Sequence, residues 1–152
     1  MFDYDQNIGL LICKKRLGSR SIVGAEVGWE DGGYKNVKLA GKNYRQHRVI
    51  WKWMTGKDPE NKIDHKDTNR LNNKWNNLRE ASNEQNGFNK PLQVNNTSGI
   101  KGLSIDQNGY YYCQVSAYGI SKQNRFADLD LAIEWLDKTR KQLHQQYANN
   151  GN

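Results

Sequence analysis

The chain has 152 residues, enough for one domain or two small ones at roughly 100–200 residues each. Only 36% of it is apolar, but five Trp and eight Tyr supply large core side chains, which excludes a globally disordered chain. A net charge of +7 with a pI near 9.4 suits a polyanionic partner, and no apolar run approaches the ~20 residues of a membrane span.

In chain order, Ile8 to Cys13 is a short apolar strand candidate, followed by Lys14, Lys15 and Arg16. Gly18 to Gly33 carries five glycines among Ser and charged residues and is predicted as loop with short strands. Val37 and Leu39 alternate with Asn36 and Lys38, and Ala40-Gly41-Lys42 turns the chain before Tyr44, the pattern of a hairpin. Val49, Ile50, Trp53 and Met54 recur at helical spacing, so Gln46 to Thr55 reads as an amphipathic helix ended by Gly56 and Pro59. A strand is the alternative there, because Val49, Trp51 and Trp53 also alternate.

The stretch from Ile63 to Asn86 carries the chemistry. Asp64 and His65 sit at the end of a strand candidate, Asn77 follows twelve residues after His65, and Ser82 to Asn86 opens a helix. Ser82 is an N-cap and Gln85 completes a capping box with it. Neighbours on a strand face opposite ways, so Asp64 and His65 diverge. That is useless for a shared metal site but suits in-line hydrolysis of a phosphodiester, with a base and a cation flanking the phosphorus. Histidine, with an ordinary pKa of about 6.5, is mostly unprotonated at physiological pH, so His65 is the candidate general base. Asp64 would hold a hard divalent cation with Asn86 as a second oxygen ligand, the usual mode of Mg²⁺. Asn77 would accept from the His65 ring N–H and so fix its tautomer. Against this, a lone histidine is often structural, and Asn69, Asn72, Asn73 and Asn76 are most simply loop residues that tolerate left-handed backbone.

The charge is unevenly placed. Residues 1–90 hold 17 Lys and Arg against 11 Asp and Glu, or +6, and residues 91–152 hold 6 against 5. Between Gly32 and Lys57 there are seven basic residues and no acidic one. Lys35, Lys38, Lys42, Arg45 and Arg48 in that run, with Arg79 further on, are candidate phosphate contacts, although a charge run is also what a solvated face looks like. Cys13 and Cys113 lie far apart with no C-x-x-C pair, so no structural zinc is expected and both are taken as reduced thiols of a cytosolic protein without a signal peptide.

His47-Arg48-Val49-Ile50-Trp51, Thr55-Gly56, Pro59, Ile63-Asp64-His65-Lys66-Asp67, Asn73, Asn76-Asn77-Leu78-Arg79 and Asn86 together resemble the HNH endonucleases of bacteriophages. Within these they are similar to the subgroup with Asn at the last signature position, which includes homing enzymes. The likeness covers roughly residues 33–89. It implies a ββα-metal fold, Asp64 and Asn86 as ligands of one Mg²⁺ or Mn²⁺ ion, His65 as general base and Asn77 as its support. His47 flanks the motif and is expected to pack or to meet phosphate.

Beyond Pro91, Asn95 to Gly99 is polar and turn-prone. Gly102 to Ile105, Tyr110 to Val115 and Ser121 to Phe126 read as three strands, with turns at Gln107-Asn108-Gly109 and Tyr118-Gly119. Asp128 caps a long helix whose Leu129, Ala132, Ile133, Leu136, Leu143 and Tyr147 form one apolar stripe, the mark of helix-on-sheet packing. Three strands and a helix, with Ser98-Gly99-Ile100-Lys101-Gly102, Phe126 and Ala132, resemble the AP2 domain often found after a phage HNH nuclease. That likeness implies an open sheet face for the DNA major groove. Tyr112 and Gln114 share a face by alternation, with Lys101, Ser104 and Lys122 as neighbours, although the sheet lacks the arginines of plant AP2 regulators.

The sequence therefore predicts an α+β protein: an HNH nuclease domain at 1–90 with its ββα-metal core about 61–90, a linker at 91–97, and an AP2-like DNA-binding domain at 98–152. The expected function is cleavage or nicking of double-stranded DNA by a monomer in the cytoplasm of a phage-infected host. The alternative is a DNA-binding regulator or packaging-associated protein with an inactive HNH remnant.

Overall fold

The computed structural model describes residues 1–16 and 21–151; the first part of the loop expected from Gly18 lies outside them. The chain divides into two compact units, Met1–Ala81 and Ser82–Asn152, each with its own core. It is a mixed α and β protein of small antiparallel sheets and few helices.

The first unit opens with a hairpin, β1 (Phe2–Asp5) and β2 (Leu10–Cys13). A three-stranded meander follows: β3 (Trp29–Asp31), β4 (Tyr34–Leu39) and β5 (Lys42–Arg45). Its β4–β5 turn puts Ala40 at φ 46° and Gly41 at φ 83°, the left-handed pair that a two-residue hairpin requires. Helix α1 (Gln46–Thr55) has the predicted bounds and stops where Gly56, at φ 75°, donates its N–H to Lys52 O. Its buried side chains are Gln46, His47 and Ile50, whereas Trp53 and Met54, placed by the helical spacing on the apolar face, are exposed. Phe2 meets the Trp53 ring with centroids 5.6 Å apart, a partial cover from the N-terminal hairpin. Strands β6 (Lys62–His65) and β7 (Leu78–Ala81) close the unit as a two-stranded pair spanned by an asparagine-rich loop. Tyr4, Leu11, Val37, Ile50, Ile63 and Leu78 form its core.

The N-terminal hairpin braces that loop. Tyr4 donates its hydroxyl to Asn73 O at 2.8 Å, and burial pushes its phenol up to about 12. Gly9, at φ 75°, packs so close that a Cβ there would sit 2.4 Å from Lys74 N.

The second unit starts with α2 (Asn83–Phe88), whose N-terminus carries the predicted capping box: Gln85 N–H donates to Ser82 Oγ, and Ser82 N–H donates to the Gln85 side chain. The division thus falls ahead of this helix, not in the segment predicted as linker. Phe88 is the reason. It stacks on His144 at 4.0 Å and meets Tyr118 edge-on at 5.6 Å, while the Glu84 carboxylate accepts the Tyr118 N–H. Strands β8 (Leu103–Ile105), β9 (Tyr111–Ala117) and β10 (Ile120–Phe126) form an antiparallel sheet, and α3 (Leu129–His144) covers one face of it. The core is Leu103, Cys113, Val115, Ala132 and Leu136. Leu129 stays exposed, and Tyr147 reaches the interior from a short turn past the helix end. Among the described residues no helix is long and apolar enough to cross a membrane.

Gly9→Ala should test the brace. A Cβ at that φ and that distance forces the hairpin off the loop, and the unit should lose about 2 kcal/mol or more of stability in a denaturant titration. An unchanged midpoint would show that the hairpin does not hold the loop.

Candidate active site

His65 ends β6 and is buried. Residues opposite each other on an antiparallel pair share a face. Asp64 faces Arg79, whereas Ile63 and His65 face Glu80 and Leu78. The carboxylate and the imidazole therefore project to opposite sides of the pair.

Asn73 hydrogen-bonds the His65 ring. His65 Nε2 lies 2.9 Å from Asn73 Oδ1, an acceptor, so the proton sits on Nε2 and the lone pair on Nδ1. The sequence predicts Asn77 in this role, and the geometry corrects it. Asn77 donates from Nδ2 to Asp67 Oδ1 and Asn72 O, both at 2.8 Å, and its Oδ1 accepts from Asp67 N–H. It ties the loop around Asp67. Burial works against the Asp67 charge, but hydrogen bonds from Asn72, Asn77 and the Asn69 N–H outweigh it and hold the carboxyl below its ordinary range. Asn73 is only 1% exposed, and no sequence signal separates it from the neighbouring asparagines. What selects it is its backbone carbonyl, anchored by Tyr4 across the unit.

His47, expected to pack or meet phosphate, lies edge-on to His65 with ring centroids 5.2 Å apart. Its Nδ1 is buried without a hydrogen-bond partner, as is Nδ2 of Asn73. Two unsatisfied polar atoms on the side chains next to one imidazole are unusual in a folded interior. Burial, with His65, Arg48 and Arg45 adding to it, drives the His47 imidazole down to about 3, so it stays neutral. Tyr34 completes the group, its ring 5.6 Å from His47 and 6.4 Å from His65, with the Arg45 guanidinium 4.6 Å over its face.

Asp64 is 6% exposed, and Arg79 donates to its Oδ2 from Nε and Nη2, each at 2.8 Å. Arg79, a predicted phosphate contact, is committed to this pair. Asp64 and Asn86 are oxygen donors of the kind that Mg²⁺ or Mn²⁺ takes. Asn86 lies on α2, in the second unit. Among the described residues no cluster of three or more His, Cys, Asp or Glu side chains could hold a metal.

The remaining predicted contacts separate in the same way. Lys35 pairs with Glu26. Arg45 donates to Asp31 O at 2.9 Å and Asn36 Oδ1 at 3.1 Å, and Arg48 reaches the Asn61 and Pro59 carbonyls. Lys38 and Lys42 are exposed. In the second unit Tyr112, Gln114 and Ser116 lie opposite Arg125, Gln123 and Ser121, forming with Ser104 the sheet face turned away from the core. Lys122 is a correction: it sits opposite the buried Val115 and reaches Gln142 on α3. Lys101 is another, since its ammonium donates to Phe88 O and Lys90 O at the end of α2. Burial, with Arg140 and Lys90 nearby, lowers it to about 8. Alternation counts residues and could not foresee that a lysine on the turn before β8 would be drawn to those carbonyls.

The family model for HNH endonuclease matches residues 44–88, the span from β5 through α2. The chain is also 37% identical over 118 residues to Protein 3.8 of Escherichia phage T7, an alignment covering 75% of this chain and 96% of that protein. The chain belongs to the family of that phage protein. Its HNH segment contains His47, Asp64, His65, Asn73, Asn77 and Asn86, so the imidazole pair and the Asn73 contact both lie inside it. No solved structure matches the chain.

A histidine that folds neutral makes stability depend on pH in a definite direction. His47 binds no proton in the folded chain until about pH 3, whereas an unfolded histidine takes one near pH 6.5. Its contribution is complete above about pH 6.5 and is lost as pH falls toward 3, amounting to about 2 kcal/mol at pH 5. Thermal melts from pH 7.5 to 4.5 should show this loss, and His47→Phe should flatten it. Parallel profiles for the two proteins would overturn the assignment.

Proposed function

We propose that the chain is a divalent-metal-dependent endonuclease that nicks or cuts double-stranded DNA, of the homing type suggested by Asn86 at the last signature position. What carries the reading is the His65–Asn73 hydrogen bond inside a segment matching the HNH endonuclease model. With Nε2 protonated and turned to Asn73, His65 Nδ1 takes the proton from the attacking water. Asn73 keeps the ring in that tautomer and stabilises the imidazolium that forms, and Tyr4 keeps Asn73 in place. Asp64 and Asn86 would hold a Mg²⁺ or Mn²⁺ ion, which when bound offsets charge on the phosphate and the departing oxygen. Arg79 orients the Asp64 carboxylate. The second unit supplies target positioning in the AP2-like manner, through the open face around Tyr112, Gln114 and Arg125 rather than through Lys101 and Lys122.

The second reading is a DNA-binding protein with an idle HNH segment. The observation in its favour is that Arg79 already places a cation on Asp64.

Supercoiled plasmid incubated with Mg²⁺, and separately with EDTA, divides the two. Nicked or linear product with Mg²⁺ alone is the expected result, and no product with either Mg²⁺ or Mn²⁺ would leave the binding protein. In the active chain His65→Ala should lower the rate by ~10²–10⁴-fold while DNA affinity holds.

Asn73→Ala and Asn77→Ala separate the two amides. Asn73→Ala should lower the rate constant by about 10–100-fold and displace the pH–rate profile, because the tautomer is no longer fixed. Asn77→Ala should act through stability, seen as a lowered melting temperature with the pH profile unmoved. The reverse pattern would return the supporting role to Asn77.

A further inference from the structure

Arg70 lies in the loop between β6 and β7, five residues after His65, and is exposed. Its guanidinium carbon stands 5.0 Å from the centroid of the Tyr34 ring, the same ring that carries Arg45 and adjoins both imidazoles. Arg45 is held by Asp31 O and Asn36 Oδ1, whereas Arg70 makes no hydrogen bond or ion pair among the described residues. The acid closest to it in the loop, Asp67, has its carboxylate occupied by Asn69, Asn72 and Asn77.

We propose that Arg70, seated on Tyr34, binds the DNA phosphodiester presented to His65; the proposal rests on the endonuclease reading. The chemistry fits a phosphate specifically. A guanidinium carries five N–H donors in a planar fork that matches two phosphate oxygens at once. Stacking on an aromatic face orients the fork and removes part of the rotamer freedom that binding would otherwise take away. Two guanidinium groups on one ring repel each other, and among the described residues no carboxylate pairs with the second. A bound anion relieves that repulsion. The geometry also gives Tyr34 a task that its hydroxyl does not perform: the ring face seats the cation beside the base.

The test uses the full chain with His65→Ala, so that DNA is bound without being cut. Affinity for a short duplex is followed by fluorescence anisotropy as salt is raised. Each phosphate contact contributes about 0.9 to the slope of log K against log salt. Arg70→Gln should lower that slope by about 0.9, and Arg70→Lys, which keeps the charge, should restore it. In the chain with His65 intact, Arg70→Gln should lower the single-turnover rate at saturating DNA by at least tenfold, with Arg70→Lys recovering only part, because the fork is lost. Tyr34→Leu should reproduce the Arg70→Gln losses in part, and Tyr34→Phe should not. An unchanged slope and rate for Arg70→Gln in a chain that binds and cuts DNA overturns this proposal and leaves the endonuclease reading standing. A chain that neither binds nor cuts DNA overturns both. If Tyr34→Leu behaves as the parent while Arg70→Gln is impaired, the seating role of Tyr34 is wrong.

Discussion

A buried histidine can act as a base only if something decides which of its two nitrogens carries the proton. Here the deciding atom is Asn73 Oδ1, 2.9 Å from His65 Nε2. An amide oxygen only accepts, so the ring nitrogen facing it must donate, and the lone pair is left on Nδ1. Everything that places Asn73 therefore bears on the chemistry. Its carbonyl is held by Tyr4 from the first strand, and its backbone is pressed by Gly9 from the first turn. Residues at the extreme N-terminal end of the chain thus set the proton position of a side chain some sixty residues later. The N-terminal hairpin is a structural part of the candidate site through its hold on Asn73.

The surroundings of that imidazole work in the same direction. His47 is neutral because burial leaves no compensation for a charge and because a second imidazole and two arginines stand near it. A neutral edge-on ring packs against His65 without the repulsion that a second imidazolium would impose on a proton-bound His65. Tyr34 faces both rings from one side and offers its π-face to cations. One aromatic ring thus adjoins both imidazoles and also carries two guanidinium groups.

How much of this was legible in the sequence depends on how local each cause is. The helix at Gln46–Thr55, the hairpin turns at Ala40-Gly41 and Tyr118-Gly119, and the Ser82–Gln85 capping box are fixed by residues within one turn of each other, and each appears where its pattern falls. The opposite facing of Asp64 and His65 follows from strand alternation alone. The choice between Asn73 and Asn77 was not local. Both are asparagines in one loop, and they differ because Tyr4 anchors one and Asp67 engages the other. On α1 the predicted face is the one turned inward, since Gln46 and His47 share a stripe with Ile50, Trp53 and Met54, but only its first half is covered: Gln46, His47 and Ile50 are buried, and Trp53 and Met54 in the last turn are exposed. Lys122 was misplaced by one residue of register, enough on a strand to change its face.

The basic stretch from Gly32 to Lys57 calls for the same distinction between what a residue is and where its donors go. An ion pair removes one charge of each sign and leaves the net charge untouched, so +7 still attracts a polyanion at long range. Contact is another matter. Lys35 is on Glu26, Lys52 is on Asp58, and Arg45 and Arg48 have donors on protein oxygens. Exposed Lys38, Lys42 and Lys57 remain of the seven, and outside the stretch Arg70 stands over the Tyr34 ring. The count of contacts that release counterions is accordingly smaller than the count of basic residues. Long-range attraction comes from the whole basic surface, whereas a phosphate, once bound, would be positioned by the few cations whose donors the fold has left unspent.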